Sequence, residues 1–321
     1  MKDLRIERYS SADEREWNDF VNQSRNATFL FNRGFMDYHS DRFIDHSLIA
    51  RDGGKIVALL PANITSDEEG RVLHSHSGLT YGSWLLGPRH PDASEMLTIF
   101  NLTKEYALRN GIEALDYKPI PFIYSGMPSQ EDLYALFRYG AGLTERNISV
   151  AINLSENPGL NTQQKRNLKR ALGVEAIIEE SDNVELFHSL LSDCLAERHG
   201  VKPVHTSEEL RLLKERFPQN IRIFMLTVGG TPQAGVCIFD CGPTIHAQYI
   251  CSTPTARKEG LLTCLFDYLI NSQLFPHAQY FDFGICNENH GLFLNEGLYR
   301  QKSSLGGSAV VYERYLLSFS D

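Results

Sequence analysis

The sequence has no apolar run approaching the roughly 20 residues that a membrane-spanning helix needs. Its first eight residues, MKDLRIER, carry charges where a secretory signal would have an apolar centre. Positive charge is also in short supply, since 31 Lys and Arg stand against 40 Asp and Glu, for a net charge of −9 at pH 7. A broad duplex nucleic-acid surface requires a basic face. We therefore expect a cytoplasmic protein that is not a general duplex binder.

Several motifs of metal binding and catalysis are missing as well. The six cysteines form no C-x-x-C, the 11 histidines form no H-E-x-x-H, and no G-x-S-x-G occurs. These absences argue against a metal site and against a serine hydrolase. The cysteines all lie in the second half, mostly in apolar runs, where a reduced thiol packs as a small hydrophobic group.

What the sequence does have is length and a repeated order of elements. Its 321 residues, 42% of them hydrophobic, are enough for two domains. Hydrophobic periodicity and turn residues predict the order β-α-α-β-β-β-α-β-α-β in each half. We therefore predict a mixed α/β fold with two tandem domains of one type, 1–155 and 156–321. An additional helix over 162–172 precedes the second repeat.

Two predicted strands in the second half carry polar residues. Alternation along 244–251 places His246 and Gln248 on one face, and Tyr249 and Cys251 on the other together with Ile245 and Ala247. Asp282 alternates with two phenylalanines on the strand 280–284 and is expected to face the same cleft. A His has the right pKa range for a base, and an Asp could act as a base or orient the acceptor. Structural hydrogen bonding is the alternative for both.

The segment 257–260 is predicted to end a loop and open a helix over 260–274. The free N–H groups and the positive dipole end of that helix would suit a pyrophosphate, with Arg257, Lys258 and Gly260 as its ligands. A surface loop with two unrelated basic residues is the alternative. The corresponding segment of the first half, 82–91, has no such pattern, so the first domain is not expected to bind CoA.

The helix 162–172 has a basic face, because four cationic residues fall at i, i+1, i+4 and i+5: Lys165, Arg166, Lys169 and Arg170. One interpretation is a solvated helix face, the usual reason for a run of charge. The other is an anion clamp for a sugar nucleotide, a lipid-linked pyrophosphate or the acceptor end of a tRNA.

The repeated element order resembles the GNAT acyltransferase fold, and its use in tandem resembles the FemA/FemB/FemX-like branch. The closest resemblance is to bacterial FemAB-like proteins of cell-envelope and polysaccharide acylation. It rests on blocks spread over nearly the whole chain: TFLF at 28–31, YHSDRF at 38–43, HSGLTYG at 76–82, QKRNLKR at 164–170, ERHG at 197–200, HAQY at 246–249, FDFGICNE at 281–288, LNEGL at 294–298, and Lys302.

The resemblance implies transfer of an acyl group from acyl-CoA, as co-substrate, to an amino or hydroxyl group. The acceptor would be an envelope sugar, a polysaccharide or a peptidoglycan precursor, which if lipid-linked would bring the protein to a membrane surface. Attack would be direct, with Asp282 or His246 assisting deprotonation and Tyr299 protonating the thiolate. The remaining implied contacts are Asn287 with the donor, Gln248, Glu288 and Lys302 with the substrate, and Arg42, His76 and Tyr81 in an acceptor cleft between the domains.

Two departures from the family pattern keep alternatives open. Leu305 replaces a Phe in Lys-x-x-Phe-Gly, and Leu262 stands where many acetyl-CoA-using members have a small residue. One alternative is Fem-type transfer from aminoacyl-tRNA to a peptidoglycan precursor. The other is a non-catalytic binding module with a degenerate donor pocket.

Overall fold

The computed structural model describes residues 3–67 and 70–319. The chain divides into two compact units. The first comprises the residues up to Asn147, together with Asn289–Leu292 and the residues from Val311 onward. The second comprises Ile148–Glu288 and Phe293–Val310.

The helices and strands up to the unit boundary are β1 (Leu4–Arg8), α1 (Glu14–Gln23), α2 (Arg33–Met36), β2 (Ile44–Asp45), β3 (Leu48–Asp52), β4 (Lys55–Leu60), β5 (Asn63–Asp67), β6 (Gly70–His74), β7 (Leu85–Leu86), α3 (Ala93–Arg109), β8 (Ala114–Tyr117), α4 (Glu131–Arg138) and β9 (Gly142–Asn153). Those that follow are α5 (Thr162–Ala171), β10 (Ala176–Glu180), α6 (Val184–His199), α7 (Ser207–Arg216), β11 (Ile221–Val228), β12 (Thr231–Asp240), β13 (Thr244–Ser252), α8 (Pro254–Glu259), α9 (Leu261–Asn271), β14 (Tyr280–Ile285), β15 (Asn287–Glu288), β16 (Phe293–Leu294), α10 (Glu296–Ser303) and β17 (Ser308–Ser318).

The first unit has strands in the orders β1-β3-β4-β7 and β2-β5-β6-β8, and β17 pairs with β8. Neighbours are antiparallel except β6 and β8. Helix α3 begins with a capping box in which Asp92 and Glu95 satisfy each other's backbone N–H groups. Its buried face, with Met96, Ile99 and Phe100, has the i, i+3, i+4 spacing of an amphipathic helix, and it packs into the core of this unit.

The second unit has the strand order β10-β11-β12-β13-β14, with the second part of β9 paired to β14. Only the β13–β14 pair among these is parallel. Its core combines strand residues such as Phe281 and Phe283 with Leu265 and Phe266 of α9. The mixed α/β fold predicted from the sequence is confirmed, and the second half has the predicted element order with α8 and the β15–β16 hairpin as additions.

Three local predictions need correction. The segment 287–298 is not one helix: a short β15–β16 hairpin comes first, and α10 begins only after Asn295, whose side chain accepts from Leu298 N and caps it. Strand β5 was missing from the predicted first half. The unit boundary falls inside strand β9, after Asn147, rather than at 155, and most of the last strand belongs to the first unit. Because β9 runs continuously across this boundary, the sequence has no turn residues there that could mark it.

Candidate functional site

Strands β13 and β14 separate part-way along their length. Their parallel pairing joins Thr244 with Tyr280, Ile245 with Phe281, and His246 with Asp282. Both strands then continue, to Ser252 and Ile285, beyond the last of these pairs. A gap between the carboxyl ends of neighbouring parallel strands is where open α/β sheets place their ligands.

A β-bulge in β13 accompanies this separation. Cys237 of β12 pairs with Tyr249 and the next residue, Ile238, pairs with Ala247, so Gln248 is the extra residue. One extra residue reverses the side-chain alternation beyond it. The bulge also leaves Gln248 only partly buried, at the start of the separated part of the strand.

The bulge corrects the predicted faces of β13. Ile245 and Ala247 pack into the α9 core, as does Ile250, whereas the Tyr249 hydroxyl lies 2.5 Å from His205 Nδ1. Strict alternation predicts that Tyr249 and Cys251 share the face of Ile245. Because of the bulge they do not, and this prediction was wrong. A one-residue bulge leaves no mark in the sequence that periodicity could detect.

His246 and Asp282 form a hydrogen-bonded pair at the point of separation. The distance from His246 Nδ1 to Asp282 Oδ2 is 2.8 Å, and Asp282 is fully buried. An ionised carboxylate only accepts hydrogen bonds, so Nδ1 carries the proton and Nε2 is the ring nitrogen that can take another. Orientation of an imidazole base by a buried carboxylate is the arrangement of catalytic triads.

Ser149 is the third member of this cluster, and the sequence analysis missed it. It lies on β9, and its Oγ donates to Asp282 Oδ1 at 2.5 Å. The side chain is fully buried. A serine in an apolar strand more than 130 positions away gives no signal in the sequence, because only the pairing of β9 with β14 brings it to Asp282.

The chain beyond Asp282 is irregular and is held by Lys302. Gly284 has φ +78°, a conformation that favours glycine, and a Cβ there would lie 3.5 Å from His246 Cε1. Lys302 is buried and its Nζ donates to the carbonyls of Gly284 and Ile285 at 2.8 and 2.9 Å. Burial lowers the pKa of Lys302 and raises that of the Cys286 thiol. Contact of Lys302 with a substrate anion stays a prediction.

A cavity of about 250 Å³ lies at the start of α9. Its lining includes Gln164, Asn167, Arg257, Gly260 and Thr263. Gly260 has φ +75°, and a Cβ on it would lie only 2.8 Å from the carbonyl carbon of Asn167, so this position requires glycine. The close approach of α5 to the start of α9 depends on that missing side chain.

The segment that carries Arg257 and Lys258 is the helix α8 rather than a loop. Thr253 caps this helix by accepting from Ala256 N, and Pro254 at its first position has a preset φ, which together favour a helical turn. Arg257 donates to the carbonyl of Ser252 at 2.5 Å and lies 3.5 Å from Glu197. Its guanidinium is thereby placed at the end of β13 and beside the cavity.

Helix α5 forms one wall of the cavity and exposes its basic face. The Gln164 side chain accepts from Thr263 Oγ1 at 2.6 Å and donates to Ser304 Oγ at 2.8 Å. The four cationic residues are all exposed. Among them, Arg170 also donates to the carbonyl of Lys258. The predicted basic face thus exists and lies on a helix that contacts the cavity.

Three further predicted residues have structural contacts. Asn287 Oδ1 accepts from the backbone N of Ile148 at 2.6 Å, so it joins β15 to β9 rather than binding at a helix start. Glu288 accepts from the Asn295 side chain at 3.0 Å. Tyr299 packs, partly buried, against the core. Their roles toward donor and substrate stay predictions.

The predicted acceptor residues Arg42, His76 and Tyr81 belong to the first unit. Tyr81 is buried, with its ring 4.7 Å from that of Tyr124. His76 is buried and stacks on His39 at 5.3 Å, and burial holds its pKa well below the ordinary value. Arg42 lies over the ring of Tyr38 at 5.3 Å. In the 197–200 block, the side chains of residues 198 and 199 lie outside the described part of the structure.

Residues 161–290, which contain α5, most of the cavity lining and the His246–Asp282 pair, match the family model described as an acetyltransferase (GNAT) domain. Residues 161–290 form a GNAT domain. The prediction of a GNAT-superfamily N-acyltransferase is thereby confirmed for that part of the chain. A comparison with curated proteins gives no match.

Solved structures share the fold over the whole chain. FemX superposes with a TM-score of 0.69 at 10% identity and covers 96% of this chain and 96% of its own. L-PGS from Bacillus licheniformis gives 0.61 at 14% identity, covering 97% of this chain and 92% of its own. A tandem GNAT protein from the clavulanic acid biosynthesis pathway gives 0.52 at 11% identity, covering 99% of both chains. The predicted tandem GNAT fold is confirmed.

Residues 3–67 and 70–319 contain no group of three or more His, Cys, Asp or Glu side chains placed to hold a metal ion. No helix in that part of the chain combines the length and apolar character needed to cross a membrane.

Proposed function

We propose that the GNAT domain of the second unit transfers an acyl group from acyl-CoA directly to an amino group, with His246 as general base. The observation that carries this proposal is the His246–Asp282 pair at the point where β13 and β14 separate. In this pair a buried carboxylate orients the imidazole through Nδ1, and Nε2 is the nitrogen that we assign to proton transfer.

The cavity at the start of α9 would anchor the donor. Helix N–H groups and the Arg257 guanidinium provide the positive partners that a pyrophosphate needs. At about 250 Å³ the cavity is smaller than the roughly 300–1,000 Å³ of pockets that enclose a whole ligand. It would therefore hold one part of the donor, with the rest extending along β13.

The distance from the cavity to the base favours a donor with a long arm. Arg257 contacts the carbonyl of Ser252, six positions beyond His246 on the same strand. One of these six residues is the bulged Gln248, so the span is that of five regular positions, roughly 16 Å at about 3.3 Å per residue. A donor anchored beside Arg257 reaches His246 only through an extended linker, and the pantetheine arm of CoA is such a linker.

The reaction then needs one bond formed and one broken. The amine nitrogen attacks the thioester carbonyl, and His246 Nε2 accepts a proton from it. Backbone N–H groups along the separated strands would stabilise the oxyanion. Collapse of the intermediate breaks the C–S bond, and the CoA thiolate takes a proton, from Tyr299 according to the family resemblance. The acceptor is proposed to be an envelope sugar, a polysaccharide or a peptidoglycan precursor in the cytoplasm, which the FemX-like fold supports.

A second candidate is aminoacyl transfer from aminoacyl-tRNA. It is favoured by the exposed basic face of α5, whose helix also lines the cavity. Four cations on one face could bind the phosphates of a tRNA acceptor end, and that contact would weaken steeply with salt.

Calorimetric titration separates the two candidates. The wild-type protein is titrated with acetyl-CoA, with longer acyl-CoAs and with aminoacyl-tRNA at two salt concentrations. Arg257→Ala should weaken acyl-CoA binding about tenfold or more, as expected for loss of a charged hydrogen bond. A fourfold alanine variant of the α5 basic residues should leave acyl-CoA binding unchanged and abolish tRNA binding only if the second candidate is correct.

Arg300→Ala provides the matched control, since Arg300 is exposed in the same unit and pairs only with its helical neighbour Glu296 among its described contacts. It should bind all ligands as the wild type does. Absence of binding by any acyl-CoA contradicts the CoA proposal, and absence of salt-dependent tRNA binding contradicts the second candidate.

A further inference from the structure

The first unit contains a second His–Asp pair at the equivalent place. Strands β6 and β8 pair in parallel, and the third pair joins His74 with Asp116. In β13 and β14 the third pair joins His246 with Asp282. The His74 Nδ1 to Asp116 Oδ2 distance is 2.6 Å, so the hydrogen bond also recurs between the same atoms.

The third partner also occupies equivalent positions in the two units. Asp282 is opposite Ala151 on the antiparallel neighbour β9, and Ser149 lies two residues before Ala151. Asp116 is opposite Leu316 on the antiparallel neighbour β17. Arg314 lies two residues before Leu316 and binds both Asp116 oxygens, at 2.6 and 2.5 Å. Ser149 in one unit therefore corresponds to Arg314 in the other.

The two occupants have different consequences for the carboxylate. Arg314 neutralises Asp116, and together with His74 it lowers the pKa of that carboxyl to about 2 despite burial. His74 Nε2 lies 2.8 Å from Thr65 Oγ1, so both ring nitrogens of His74 have a partner. In the first-unit cluster both ring nitrogens and both carboxylate oxygens therefore have partners, and the carboxylate is ion-paired with Arg314.

Ser149, by contrast, contributes a hydrogen bond without a charge. Its hydroxyl engages Asp282 Oδ1, which leaves Oδ2 for His246. Because a hydroxyl does not form an ion pair, an ionised Asp282 can still stabilise the imidazolium that forms when His246 accepts a proton, with the buried Lys302 as a nearby cation. The hydroxyl also prevents rotation of the carboxylate about its terminal torsion, which is otherwise soft.

We propose that Ser149 is a positioning residue that fixes the Asp282 carboxylate, and through it the ring orientation and tautomer of His246. The catalytic part of this inference rests on the proposed function, whereas the tautomer does not. Position 149 thus distinguishes the proposed catalytic pair, His246 and Asp282, from the first-unit pair of His74 and Asp116. In the first unit Arg314 occupies the corresponding position.

The test is ¹⁵N NMR of the histidine side chains at a pH where the imidazole is neutral, with kinetics alongside. His246→Gln identifies the His246 signals. In the wild type, we expect protonation at Nδ1 alone. In Ser149→Ala, we expect a mixture of tautomers, with kcat reduced about tenfold and KM little changed, as for loss of one hydrogen bond to a charged group. Ser149→Thr keeps the hydroxyl and should restore both.

His74 is the internal control, because its signals should be the same in all variants. If Ser149→Ala does not fold, Ser149→Cys makes the same test, since a thiol of similar size is a weak donor. A single Nδ1–H tautomer and an unchanged kcat in the variants that lack the hydroxyl would overturn the inference. Absence of acyl transfer by the wild type would contradict the proposed function, while the tautomer still decides the role of Ser149.

Discussion

Replacement of Asp282 by Asn should abolish the chemistry while the fold survives. Both described partners of Asp282, Ser149 and His246, donate hydrogen bonds to it. An Asn of the same shape offers one acceptor oxygen and one donor NH₂ group. The serine hydroxyl can rotate to accept or donate. If the NH₂ group faces the imidazole, Nδ1 must lose its proton, and the proton moves to Nε2. If the oxygen faces the imidazole, the tautomer is kept, but the negative charge that stabilises the imidazolium is lost.

Both orientations weaken His246 as a base. With the proton on Nε2 that nitrogen cannot accept another, and with the proton on Nδ1 the imidazolium lacks its counter-charge, so the contribution of general base catalysis is lost. Such catalysis contributes typically 10²–10⁴-fold, and we expect kcat to fall by about that factor. The loss of a buried hydrogen bond to a charge is worth about 1.5–3 kcal/mol, and the free energy of unfolding should fall by no more than that.

The assay is release of the CoA thiol in the presence of the acceptor identified in a panel of amines, with urea unfolding in parallel. Asp182→Asn is the matched control, since its side chain is 96% exposed in the same unit and pairs with Lys214. It should retain full activity. Wild-type kcat in Asp282→Asn would refute the base assignment, whereas an unfolded variant would refute the claim that the role of Asp282 is chemical.

Three other outcomes follow from particular contacts. Gly260→Ala should lower the melting temperature and weaken acyl-CoA binding. The added Cβ would press on the Asn167 backbone, and φ +75° costs a non-glycine residue about 1–2 kcal/mol. Gly142→Ala is the control, because a Cβ at that position would lie in open space. The pKa of Asp116 is lowered from 3.8 to about 2, so it adds roughly 2 kcal/mol of stability above pH 4 that is lost as the pH falls from 4 to 2. In urea unfolding, the free energy of unfolding of Asp116→Asn should lie below that of the wild type above pH 4, and this difference should vanish as the pH falls to 2. Burial raises the pKa of Asp132 from 3.8 to about 6, so wild-type stability should fall as the pH rises from 4 to 6, by up to about 3 kcal/mol. Asp132→Asn, which still accepts from the Tyr117 hydroxyl, should remove that fall if Asp132 causes it.

Local patterns in the sequence were sufficient for the fold class and for much of the site. The repeated order of helices and strands predicted the tandem GNAT fold, because each element carries its own period of apolar residues. His246 and Asp282 were selected for the same reason, as polar side chains alternating with buried apolar neighbours. Their hydrogen bond could be anticipated once two adjacent parallel strands were expected.

What the sequence could not show depends on pairing between distant segments. The bulge at Gln248 is visible only as a shift between the partners of β12 and β13. Ser149 reaches Asp282 only because β9 pairs with β14. The helical conformation of the Arg257 segment is different, because Thr253 as cap and Pro254 at the first position are a local sequence signal for a helix start.

Each unit has a His–Asp pair at the same place in its sheet, and the residue that binds the carboxylate differs between the two pairs. Both units hold the carboxylate with three strands, and in both the imidazole donates from Nδ1. Arg314 at the third position forms an ion pair with the buried Asp116 and helps to hold the pKa of that carboxyl low. Ser149 at the corresponding position provides a hydrogen bond without an ion pair, so an ionised Asp282 can respond to a positive charge that forms on His246. We therefore expect catalysis in the second unit and not in the first.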